Sequence, residues 1–148
     1  MRYLRWVIAA ALALYCLWSL LPSVGTATWK LGLYELAGDQ VQYQPLMEST
    51  GWLQLVLWWT AIALYAVAGW RLVRRKPAFP AFAAAFVLDV ANYAWTRAEG
   101  VYDRVMGGAI TSDYVILGLL ALTGAYIWST ERGPRRTRVT PRSPVALT

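Results

Sequence analysis

Residues 78–97 read AFPAFAAAFVLDVANYAWTR, and the fold turns on whether this stretch is a helix inside a membrane. It is the weakest of four apolar stretches, because it is rich in alanine and carries Asp89 and Asn92. Pro77 and Pro80 nevertheless sit at its start, where the fixed φ and missing N–H of proline suit the first turn of a helix. About 20 helical residues cross the roughly 30 Å of bilayer hydrocarbon, and this stretch has that length. Working outward, three more strongly apolar runs cover residues 6–22, 51–71 and 110–129. Four spans predict an all-α protein: an integral membrane antiparallel four-helix bundle over residues 1–130, with both termini on one side. Residues 131–148, with a run of arginines and prolines, read as a basic disordered tail.

Composition demands the same class. Of 148 residues, 58% are hydrophobic and 15% charged, and the mean hydropathy is +0.39. Soluble domains average roughly 45–50% apolar and about 25% charged, and a soluble chain this short has too small a core to hide the excess. The bilayer must cover it.

Fourteen basic residues against eight acidic ones leave a net charge of +6. Eleven of the fourteen (Arg2, Arg5, Arg71, Arg74, Arg75, Lys76, Arg132, Arg135, Arg136, Arg138 and Arg142) fall on one side of the four spans. Lys30, Arg97 and Arg104 fall on the other. Basic residues mark the cytoplasmic side, so both termini and the 71–77 turn are expected there. Twelve arginines against two lysines suggest a GC-rich bacterium and hence a multi-pass protein of a bacterial inner membrane. The basic clusters are thereby accounted for as topology signals and contacts for anionic headgroups, and no nucleic-acid partner is expected. Arg2 and Arg5, an apolar run and then Gly25-Thr26-Ala27 also have the shape of a secretory signal with its cleavage site.

With no histidine and one cysteine, Cys16, the chain has no side-chain set for a haem, zinc or iron–sulfur site and no internal disulfide. Ser-His-Asp and Cys-His catalysis are excluded, and no glycine-rich phosphate loop is present. No cofactor or metal is expected.

Nine tryptophans and nine tyrosines sort by depth. Tyr3, Trp6, Trp70 and Trp128 fall at the cytoplasmic ends, and Trp18, Trp29, Trp52, Trp95, Tyr102 and Tyr114 at the outer ends, as membrane anchors do. Trp58 and Trp59 lie mid-span, with Tyr15, Tyr65, Tyr93 and Tyr126 at intermediate depths, where each needs a hydrogen-bond partner. They either fill the bundle, line a cavity, or meet lipid or another protein. In the long outer loop, Trp29, Leu33 and Leu36 are spaced for a short interfacial helix over Thr28 to Ala37, and the loop is expected to pack on the bundle as a lid.

Asp89 is the sharpest single feature. At 1.5 Å per residue it lies about 16 Å into the membrane, where a charge costs roughly 2.5–3.5 kcal/mol on insertion scales. It should face the interior, protonated or paired. Asn92, Tyr93 and Thr96 follow at i+3, i+4 and i+7 on the same helix face. Tyr15, Thr60, Leu120 and Thr123 are nearest by depth. Two readings stand: a carboxylate that takes a proton or a ligand, or a neutral Asp joining helices by hydrogen bonds worth about 0.6 kcal/mol each.

A second pair of acids, Asp103 and Asp113, flanks a connection containing Gly107 and Gly108. Two carboxylates sharing a site activate water in aspartic proteases. Tyr102-Asp103-Arg104 and Ser112 to Gly118 resemble the two aspartate motifs of the lipoprotein signal peptidase family over fewer than 20 residues. The resemblance implies a small four-helix membrane hydrolase. The chain departs from that pattern: Gly100 stands where the family has Asn, and only nine residues separate the aspartates. The alternative is that Asp113, with Thr111 and Ser112, caps the fourth helix and that Asp103 pairs with an arginine.

Three functional expectations result. The leading one is a non-catalytic accessory or assembly subunit that packs against another membrane protein or a copy of itself, or a lipid-binding bundle. The second is a small proton-coupled transporter or ligand-binding protein using Asp89. The third is an intramembrane aspartyl hydrolase using Asp103 and Asp113.

Overall fold

The first helix runs straight through Pro22. In the computed structural model, which describes residues 2–107 and 110–132, α1 spans Arg2–Lys30. This corrects the expected end near residue 22 and the expected separate helix over Thr28 to Ala37. The stop signal is Gly32. Its φ of +69° lets the chain turn back so that Leu33 N–H reaches Thr28 O at 3.0 Å and Gly32 N–H reaches Trp29 O at 2.9 Å, a glycine-based C-terminal cap. Pro22 removes only the donor to the Trp18 carbonyl. Gly25, Thr26 and Ala27 are therefore helical, and Thr26 and Ala27 are each 6% exposed.

After α1 come a 3-10 turn over Gly38–Tyr43 and the short helix α2 (Gln44–Ser49), so the loop's helical part lies C-terminal to where the apolar spacing puts it. There follow α3 (Trp52–Val73), α4 (Phe79–Ala98), α5 (Val101–Met106) and α6 (Ile110–Arg132). No strand occurs among the described residues. Three helices are long and apolar enough to cross a membrane: α1, α3 and α6. α4 has the length, 20 residues, but Asp89, Asn92 and Arg97 dilute its apolar character. The basic tail beyond Arg132 lies outside the described residues, as does Gly108.

α3 packs along both α1 and α4, whereas α6 packs on α4 and shares no extended interface with α1. The core between them holds Leu12, Tyr65, Ala68, Leu72, Phe82, Ala85 and Ile127. We call the end carrying α2 and α5 the upper end and the end carrying the α3–α4 turn the lower end. That turn closes on Arg75, which sits at φ +55°, with Lys76 N–H bonded to Arg71 O at 2.9 Å. The same cap geometry that Gly32 provides is here held by a non-glycine residue.

α6 is held on α4 in the lower half. Phe82 packs edge-on against Tyr65, centroids 5.4 Å apart, and presents its ring to Gly124 of α6. A Cβ built on Gly124 falls 2.8 Å from Phe82 Cε1. Phe79 meets Trp128 at 4.5 Å. At the very end the Glu131 carboxylate accepts the N–H groups of Ala78 (2.5 Å) and Phe79 (3.2 Å), supplying the first turn of α4 with an acceptor and a favourable negative charge.

Gly124→Ala should therefore lower stability by about 1–3 kcal/mol, the usual range for overpacking a filled site. Phe82 is 2% exposed and has no space to retreat into. Gly118→Ala, whose added Cβ meets nothing within 4 Å, should leave stability unchanged or raise it through helix propensity. Thermal unfolding of both variants in mild detergent measures the contrast.

Candidate functional site

Asp89 lies where three helices meet. Its Oδ2 accepts the Tyr15 hydroxyl of α1 at 2.5 Å and the Tyr65 hydroxyl of α3 at 3.4 Å. The two phenol rings stand edge to face, 5.4 Å apart. Both phenols donate to the same oxygen. Oδ1 receives no hydrogen bond among the described residues, and it is not sealed off.

The free side of Asp89 faces a cavity of about 470 Å³. It lies in the gap that α1 and α6 leave open and reaches the upper end. Ser19, Pro22 and Thr26 of α1, Trp58 of α3, and Asn92, Tyr93 and Thr96 of α4 line it. Asp113, Ile116 and Leu117 of α6 form the facing wall, and Tyr43, Met47, Tyr102 and Met106 from the upper turns close over it. A volume of this size falls in the range of small-molecule sites, roughly 300–1,000 Å³.

In and beside the cavity the polar groups divide into satisfied and unsatisfied. Trp58 Nε1 donates to Ser19 Oγ at 2.6 Å, and Trp59 Nε1 donates to Ser23 Oγ at 3.1 Å. The adjacent indoles of α3 thus lock onto serines one turn apart on α1. Thr96 Oγ1 donates back to the Asn92 carbonyl at 2.9 Å. The Asn92 side chain, 8% exposed, has no partner for its Oδ1 among the described residues, whereas the Tyr93 phenol lies beside the Arg97 guanidinium. Buried polar atoms are nearly always paired, so the bare Asn92 Oδ1 stands out.

Of the residues singled out around Asp89, the structure brings Tyr15, Asn92, Tyr93 and Thr96 to one cavity and leaves out Thr60. That residue is exposed, and its hydroxyl bonds the Val56 carbonyl at 2.7 Å. Equal depth does not give equal facing, because Thr60 lies on the far side of α3. Thr123 likewise bonds back to Leu119 O, and Leu120 is core. Tyr65, Ser19 and Trp58 were not among the site candidates. The i, i+4 spacing of Ser19 and Ser23 opposite a Trp58-Trp59 pair was the available signal.

The two remaining acids part company. Asp103, on the surface, pairs with Arg97 at 2.8 Å. Asp113, in the first turn of α6, accepts the Tyr102 hydroxyl and lines the cavity; the expected cap of α6 lies outside the described residues. Burial first, then the bond to Asp113, pushes the Tyr102 hydroxyl above its ordinary range, which keeps it a proton donor. Each carboxylate has its own partner, and Asp103 does not line the cavity.

Comparison with protein families, with curated proteins and with solved structures found no match.

Tyr15→Phe keeps the ring and removes the short bond to Asp89, so it should destabilise by about 0.5–1.5 kcal/mol. Tyr65→Phe, at the longer bond, should cost less. Unfolding midpoints of the two variants test the order.

Proposed function

We propose that this chain is a multi-pass membrane protein of four antiparallel helices, α1, α3, α4 and α6, with both termini cytoplasmic, that binds a small ligand in a cavity reached from the outer side. What supports the fourth span is packing: α4 lies alongside α3 and carries α6, and its carboxyl finds its partners on α1 and α3. An intramembrane acid with satisfied partners on neighbouring spans is the arrangement in which such residues persist. The outer side is then the upper end, opposite the Arg71 to Lys76 cluster.

One observation carries the ligand reading. The cavity beside Asp89 is lined by a buried amide whose oxygen has no partner among the described residues. Hydrogen bonding between helices explains Asp89 Oδ2; it leaves Asn92 unexplained. Asp89 supplies the polar floor, Asn92 and Tyr93 the directional contacts, and Trp58, Met47 and Met106 the apolar walls. The alternative, an accessory or lipid-binding subunit, draws on the apolar face of α1, where Leu14 is 68% and Leu21 71% exposed; in a bilayer that face suits hydrocarbon as well as a partner.

Cysteine labelling tests both parts in a Cys16→Ala background. Cysteines at Gln42 and Arg104 should react with a membrane-impermeant thiol reagent from outside, and those at Arg75 and Thr130 only after permeabilisation. Arg75 and Arg104 on the same side would sink the fourth span. Asn92→Cys should react from outside through the cavity, while Val87→Cys, turned toward hydrocarbon, should not. An unreactive Asn92→Cys would remove the outward-reached site.

A further inference from the structure

The ligand cavity has a sign. Asp89 and Asp113 line it, and no lysine or arginine among the described residues does, in a chain whose net charge is +6. Arg97, the basic side chain packed on the Tyr93 and Tyr114 rings, is held by Asp103 at 2.8 Å and stays out of the lining. Asp89 keeps Oδ1 free of hydrogen bonds, and the Tyr43, Trp58, Tyr93 and Tyr102 rings surround the space above it.

Resting on the ligand-binding reading above, we infer that the cavity takes an ammonium group carried on an apolar body, with the nitrogen at Asp89 and Asn92 and the body against the aromatic wall. An anion would meet two carboxylates in a poorly screened space. A neutral molecule would fill the volume and leave Asp89 without a counter-charge. A bare divalent ion prefers six or more oxygen ligands, and no cluster of three metal-ligating side chains exists among the described residues. The cavity is also far larger than an ion needs. An ammonium satisfies each feature at once: its N–H groups bond Asp89 Oδ1 and the Asn92 amide, and its charge is attracted to the ring faces. The Asn92 amide favours an amine that still carries N–H over a quaternary ammonium.

The test is binding of three isosteric probes to the full chain in a non-ionic detergent, read by quenching of tryptophan fluorescence: 1-naphthylmethylamine, 1-naphthylmethanol and 1-naphthoate. The amine should bind at least tenfold tighter than either other probe. Asp89→Asn should erase that preference while leaving the unfolding midpoint near that of the parent, and Asp113→Asn should reduce it by a smaller factor. Equal binding of amine and alcohol, or an amine preference that survives in Asp89→Asn, would overturn the inference while leaving the ligand-binding reading intact. Binding of none of the three would remove both. Nanodiscs separate the source of the ammonium: displacement of the amine by phosphatidylethanolamine but not by phosphatidylglycerol assigns it to a lipid headgroup, and no displacement by either assigns it to a free amine.

Discussion

A carboxyl group on a helix made mostly of alanine, phenylalanine and valine has few ways to exist away from water, and the rest of this structure follows from the one it takes. No basic side chain among the described residues pairs with it, and Asp89 is met by two phenols, from Tyr15 and Tyr65. The bonds converge from α1 and α3 onto α4 and fix the relative rotation of all three helices. The same rings also supply apolar contact: Tyr15 against Tyr65, and Tyr65 against Phe82. Polar satisfaction and packing are here done by the same side chains, so neither can be changed without the other.

α6 obeys a different constraint. Its grip on α4 comes from Gly124 over Phe82, Trp128 on Phe79, and Glu131 at the α4 N-terminus, all toward the lower end. Nothing comparable draws α6 toward α1. The helices therefore enclose a space at the upper end, and the turns between Gly38 and Ser49 and between Val101 and Met106 lie over it. The cavity is what remains when three helices are fixed by a carboxyl and the fourth is fixed by its far end.

The acids illustrate how little spacing alone says about chemistry. Asp103 and Asp113 are separated by nine residues, and a tight turn could have brought them to one water. Arg97 and Tyr102 claim them separately instead, and only Asp113 faces the cavity. The acid that the cavity is built around is the one buried deepest in the helices, where the loss of water makes the demand for a partner strongest.

Much of the fold was legible in the sequence because it follows from transfer free energy. Length and apolar content mark α1, α3 and α6 as helices able to cross a membrane, and the apolar context of Asp89 marks it as a residue needing partners. The i+3, i+4 and i+7 spacing of Asn92, Tyr93 and Thr96 placed them on its face, and all three line the cavity. Sequence order could not say where α1 ends, because Pro22 in a long apolar helix is weaker punctuation than Gly32 at positive φ ten residues later. It also could not choose Tyr65 over Thr60, since depth along an axis is additive in residue number while facing depends on how two helices are rotated against each other. That rotation, and with it the open side between α1 and α6, was decided only by tertiary packing, because it depends on contacts such as Phe82 with Gly124 that join residues far apart in the chain.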